Sequence, residues 1–136
     1  MLFERPGIIL LPEKYAICRL PGETELPNWM GEQVSLTAMV RTKDEVSIVC
    51  VEESIPSTAT SAGGWRAFKV KGPLDFSLVG ILSSISSPLA GAGVSIFALS
   101  TFDTDYFLVR EAQLDLAIET LSQAGFMVAT DDRLFA

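Results

Sequence analysis

The sequence predicts an α+β protein built from two ferredoxin-like βαββαβ units, the first of them helix-poor and degenerate. Three observations predict this. From Trp65 onward the apolar period alternates between two and 3.6 in the order β-α-β-β-α-β. A block of the first half repeats a block of the second at constant spacing. Hydrophobic residues make up 49% of the 136, enough for a real core and too many for a disordered chain. The length suits one compact domain or two very small ones, and the repeat divides it at 1–60 and 61–136.

The elements of the second unit follow in order. "WRAFKVKG" (65–72) alternates as a strand, with Arg66, Phe68 and Val70 on one face and Trp65, Ala67 and Lys69 on the other. "GPLD" turns the chain, and Asp75 or Ser77 is placed to cap a helix. In "FSLVGILSSISSPLAGAG", Leu78, Ile81, Leu82, Ile85 and Leu89 recur at helical spacing; Pro88 should kink or shorten the helix and Gly91 and Gly93 end it. "VSIFALST" is apolar on both faces and reads as a strand covered twice. A turn at Phe102 to Thr104 leads back into "DYFLVR" as a hairpin, with Asp103 the turn residue. "EAQLDLAIETLSQAG" is an amphipathic helix stopped by Gly125, and "FMVATDDRLF" supplies the last strand.

In the first half, "RTKDEVSIVCVEE" (41–53) aligns with "STFDTDYFLVREA" (100–112). Thr42 meets Thr101, Asp44 meets Asp103, Val49 meets Leu108 and Glu52 meets Glu111. Between "YAICRL" and "SLTAMV" there is room for about one turn of helix. After Glu53, "SIPSTATSAGG" reads as a polar link, not a second helix. Such a unit needs its neighbour's core to fold.

Charge and residue types exclude several functions. Ten basic against seventeen acidic residues give a net charge of -7, with no basic cluster, so nucleic acid is not a partner. There is no histidine, no GxSxG and no reactive-cysteine motif, so no nucleophile–base arrangement for catalysis presents itself and the chain reads as a non-enzyme. No dinucleotide or P-loop fingerprint and no metal-ligand spacing occurs, so neither cofactor nor metal is expected. Cys18 and Cys50 lie in apolar strands and read as buried free thiols of a cytoplasmic protein, with a disulfide between them as the alternative. The uncharged run from Phe76 to Phe102 is long enough to cross a bilayer, but Pro88, the Gly91–Gly93 turn and its serines favour a buried helix and strand, and no membrane association is expected. The apolar run at the N-terminus is interrupted by Pro12 and lacks a cleavage pattern.

Two places carry candidate chemistry. In "STFDTDYFLV" (100–109), Asp103 and Asp105 alternate at the mouth of an apolar strand. They read as a carboxylate pair, a ligand hook, or a turn residue with a surface neighbour. The repeat separates them: Asp103 matches Asp44, whereas Val46 stands where Asp105 would be. In "KGPLDFS" a strand turns toward a helix whose free N–H groups attract a small anion such as an amino-acid carboxylate. Of the aromatics, Trp65, Phe76, Phe97, Tyr106 and Phe107 read as core; Phe102, at a hairpin tip, is exposed or covers something.

The string "GPLDFSLVGIL…LA…SIFALSTFDTDY" resembles the ACT domains of small bacterial tandem-ACT proteins and is similar to the CASTOR-type amino-acid sensors; "SLTAMVRTKDEVSIVCVEE" resembles the partial ACT unit that precedes it. The resemblance spans Tyr15 to Phe126. It implies a regulatory module that binds a small ligand, often an amino acid, between ACT units. The implied contacts are Gly72, Pro73, Leu74 and Asp75 on the helix-start loop, with Asp105, beside Thr101 and Phe102, as the acid that meets a basic ligand. Because the sensors hold more ACT units per chain, the equivalent interface implies a homodimer. The alternative is a protein-interaction or dimerisation module whose ligand site has decayed.

Overall fold

A computed structural model describes residues 5–30, 34–75, 78–131 and 133. Contacts divide it into two compact units, one of residues up to Pro12 with those from Arg66 onward, the other Glu13–Trp65. This differs from a division at 1–60 and 61–136 because two strands, β1 (Ile8–Leu20) and β4 (Thr60–Val70), each run through a boundary that no change in composition marks.

The first unit contains residues 8–12 of β1, residues 66–70 of β4, helix α1 (Ile81–Gly91), β5 (Ile96–Ser100), β6 (Asp105–Arg110), helix α2 (Leu114–Gln123) and the short β7 (Val128–Ala129). After β4 the chain follows the predicted βαββαβ order. The strands lie in the order β7-β1-β4-β6-β5, so the last strand pairs with β1 and not with β4. Ile8 and Ile9 run parallel to Val128 and Ala129, and Ile8 N–H donates to Met127 O at 2.9 Å. The four consecutive apolar residues of "IILL" are all buried, as a strand with neighbours on both edges and cover on both faces requires.

The helices lie on one face. Ile81, Ile85 and Leu89 of α1 and Ala117 and Leu121 of α2, each set four apart, meet Ile8, Leu10, Phe68, Val70, Phe107 and Val109 from the strands. Burying side chains of this size contributes about 1.5–3 kcal/mol each. Both helices end in the same way. Gly93 (φ 80°) and Gly125 (φ 94°) adopt the left-handed conformation, and Val94 and Phe126 N–H donate back to Leu89 and Leu121 O at 2.8 and 3.0 Å. These are Schellman stops, fastened by the apolar pairs Val94–Leu89 and Phe126–Leu121 of the core.

Three expectations for this unit are corrected. Asp75 does not cap α1: the helix begins later, behind Gly80 (φ 82°), with no side-chain cap, while Phe76 and Ser77 lie outside the described residues. Pro88 does not shorten it, since three helical residues follow. Nor is β5 covered on both faces. It is an edge strand with Ala98 and Ser100 exposed and the rest half-buried, so neither face is fully covered.

The second unit holds residues 13–20 of β1, β2 (Ala38–Arg41), β3 (Val46–Val51) and residues 60–65 of β4, ordered β2-β3-β1-β4. Among its described residues there is no α-helix, only 3-10 turns at Asn28–Met30 and Glu52–Ser54. Residues 60–64, read from sequence as part of a link, are strand. Glu52 Oε1 accepts Gly64 N–H at 2.9 Å, and a methyl on Gly63 would stand 2.1 Å from that oxygen, so the paired glycines make room for the carboxylate. Cys18, Met30, Val46, Ile48 and Cys50 form the core. Both thiols are free; burial pushes them up, Cys50 to about 11 with the neighbouring Cys18 adding to the effect.

Among the described residues no helix is long and apolar enough to cross a membrane; the uncharged run is divided between α1 and β5.

Candidate functional site

One cavity of the first unit collects most of the residues singled out in the sequence. It has a volume of about 370 Å³, in the range of small-molecule sites. One wall is formed by Leu74, Asp75, Leu78, Gly80, Ile81 and Leu82, before and at the start of α1; the other is the turn between β5 and β6, Ser100 to Asp105.

The hairpin wall is built by register. Ser100 lies opposite Asp105 as the last pair of the β5–β6 ladder, and its hydroxyl donates to Asp105 Oδ1 at 2.5 Å. The four residues between them close a turn in which Thr101 N–H donates to Thr104 O at 2.8 Å. Thr101 Oγ1 also donates to Thr104 O (3.2 Å) and accepts Thr104 N–H (3.3 Å). Such doubled hydroxyl bonding fixes the turn locally. Phe102, at its tip, is 79% exposed.

The helix wall supplies the opposite polarity. In α1 the first intrahelical bond runs from Ser84 N–H to Gly80 O, at 2.8 Å. The amides of Ile81, Leu82 and Ser83 precede it, and Gly80 offers no side chain to cap them. An uncapped helix start carries partial positive charge and ready donors for a carboxylate. Ile81 and Leu82 line the cavity.

Five of the seven residues named from sequence, Leu74, Asp75, Thr101, Phe102 and Asp105, line this cavity together. Gly72 and Pro73 do not. Gly72 lies behind the wall, where a Cβ would come within 3.0 Å of Asp103 O and of Thr104 Cβ. Sequence reasoning passed over Leu78, Gly80, Ile81, Leu82, Ser100 and Thr104 as lining residues. Gly80 carried a signal, a glycine interrupting the periodic run at the point where the helix begins.

The lining contains three carboxylates, Asp75, Asp103 and Asp105, and no basic side chain. Among the described residues no three thiol or carboxylate groups gather to hold a metal. The predicted core aromatics split: Trp65 and Phe107 are buried, whereas Phe97 and Tyr106 are half-buried on the β5–β6 hairpin.

Comparison with known proteins bears on this geometry. A family model described as an ACT domain matches residues 60–123, and a second, described as an N-terminal domain, matches 13–58. Protein Atu0741 from Agrobacterium tumefaciens is 36% identical, covers 93% of this chain and 93% of its own, and superimposes with a TM-score of 0.86. The regulatory subunit of aspartate kinase from Thermus thermophilus shares the fold at 11% identity and a TM-score of 0.62, covering 90% of this chain and 99% of that one. Two curated relatives are the cytosolic arginine sensor for mTORC1 subunit 1 of Pongo abelii, 31% identical over 113 residues, and that of Homo sapiens, 39% identical over 67. The first match covers 77% of this chain and 34% of the sensor, the second 48% and 20%. The chain thus spans about a third or less of these curated relatives.

Proposed function

Starting from a chain that belongs to one family with Atu0741 and carries an ACT domain over residues 60–123, we propose that it is a non-catalytic regulatory protein that binds an amino acid at this cavity. The observation that carries the reading is the polarity of the two walls. An uncapped helix start at Ile81 faces the ligand's α-carboxylate, and Asp105 takes a cationic group. Three acids and no base in the lining favour a cationic amino acid over an acidic one. Curated relatives named as arginine sensors support the same class.

The site lies at an interface between ACT units. The open edge of β5 and the exposed Phe102, Val79 and Leu78 around the cavity suit closure by a second copy, making the protein a homodimer. Residues 1–60 make up a degenerate, helix-poor ACT-like unit and residues 61–136 an ACT unit, and the protein acts in the cytoplasm.

A thermal-shift survey of the common amino acids at millimolar concentration tests this. Arginine or lysine should raise Tm by several degrees and glutamate should not. A flat response across the whole panel, with a dimer that forms regardless of ligand, would instead support a pure interaction module.

A further inference from the structure

We infer that Thr104 is the positioning residue of this cavity, a latch that sets the distance between the helix-start wall and Asp105. The inference rests on the ligand-binding reading for its consequence, though not for its geometry.

Thr104 is the buried polar residue among the described ones, 4% exposed in a core that is otherwise apolar. Its hydroxyl donates to Val70 O, the last residue of β4, at 2.5 Å. Two residues further, Gly72 packs against it, and a Cβ there would stand 3.0 Å from Thr104 Cβ, closer than ordinary van der Waals contact. One peptide beyond Pro73, Leu74 N–H donates to Asp103 O at 2.7 Å. The loop leaving β4 is thus held to the β5–β6 turn at three successive points: a side-chain bond, a close packing contact and a backbone bond. Leu74, which lines the cavity, is fixed directly by the last of them. Asp105 is the next residue after the latch.

The repeat shows that the hydroxyl is not needed to make the turn. In the equivalent hairpin Thr42 N–H donates to Glu45 O at 2.9 Å, between the register pair Arg41 and Val46. Glu45 stands where Thr104 does, and the turn closes just the same. The threonine is therefore specific to the copy that must also hold a helix-start loop. A buried acceptor that loses its hydroxyl partner bears the full cost of its desolvation, which weakens the hold on the loop.

The test uses hydrogen exchange of the full chain read residue by residue, together with calorimetry using L-arginine. Thr104→Val keeps the shape and removes the donor. It should raise exchange at the Leu74 amide about tenfold or more while the Val109 amide, in mid-core, is unchanged. Thr104→Ser should restore protection. Gly72→Ala keeps the hydroxyl and wedges a methyl into the same contact, and should loosen Leu74 likewise, which tests the latch even where Thr104→Val does not fold. Where the wild type binds L-arginine, Thr104→Val should weaken it at least tenfold and Thr104→Ser only slightly. Unchanged Leu74 protection in Thr104→Val or Gly72→Ala, or undiminished arginine binding by Thr104→Val, overturns the latch. A wild type that ignores arginine counts against the functional reading alone, because the exchange arm is still read.

Discussion

Thr42 and Thr101 perform the same task in two places. Each opens a four-residue turn between antiparallel strands, donates its N–H to the carbonyl three residues on (Glu45 at 2.9 Å, Thr104 at 2.8 Å), and engages that residue's amide with its hydroxyl, at 3.1 and 3.3 Å. Removing either hydroxyl deletes the same two bonds to the residue three on, and at Thr42 also one accepted from Asp44 N–H at 3.1 Å, on an exposed or half-buried turn. Thr42→Ala and Thr101→Ala should each cost about 1 kcal/mol in urea titrations, and the two values should agree within about 0.5 kcal/mol. A large asymmetry would mean that the likeness of the turns is not energetic.

The same substitution should have opposite weight at two aromatics. Phe107 is fully buried and stacks on Phe68 with ring centroids 4.9 Å apart. Phe107→Ala should destabilise by about 3–5 kcal/mol, through lost transfer energy and a cavity. Phe102→Ala, at the hairpin tip, should stay within about 0.5 kcal/mol of wild type. Chemical denaturation of both variants measures this.

Stability should fall in alkali. The Cys50 thiol ionises near 9 when exposed and is held to about 11 by burial, then by Cys18. A raised native pKa means that the folded chain keeps its proton while the unfolded one loses it. The contribution is complete below pH 9 and is lost as pH rises through 11, by at most about 1.4 kcal/mol per unit for one thiol. The Tyr15 phenol, raised by burial and then by the Glu13 carboxylate, extends the decline upward. Cys50→Ala should lower stability at neutral pH yet flatten the slope between pH 9 and 11. At pH 8 the native thiols should resist an aromatic disulfide reagent that labels both after denaturation.

Much of this was legible in the sequence because local signals and tertiary demands agree. Leu114, Ala117, Ile118 and Leu121 recur at helical spacing with Gly125 behind them, and α2 forms there with its Schellman stop. Phe102 to Thr104 read as a turn and lie in one, closed by Thr101 N–H on Thr104 O. What was not legible depends on distant partners. Pro12 interrupts the N-terminal apolar run, yet β1 continues through it from Ile8 to Leu20; a proline interrupts a strand only where its missing N–H is needed. Thr60 to Gly64 looks like a linker until Glu52 reaches its glycines. The partner of β7 could not be read from the second half alone, because it lies at the other end of the chain. At the site, Asp105 stood out as an acid without a counterpart in the repeat. Thr104 did not, because its role depends on the Val70 carbonyl 34 residues away.

On the function proposed above, the cavity between α1 and the β5–β6 turn takes a cationic amino acid through Asp105. Calorimetric titration of the wild type and of Asp105→Asn with L-arginine tests it most directly. The wild type should bind saturably and Asp105→Asn at least tenfold more weakly, with both proteins melting within about 2 °C of each other in the absence of ligand. Equal affinity in the two proteins, or no heat in the wild type at millimolar arginine, would contradict it.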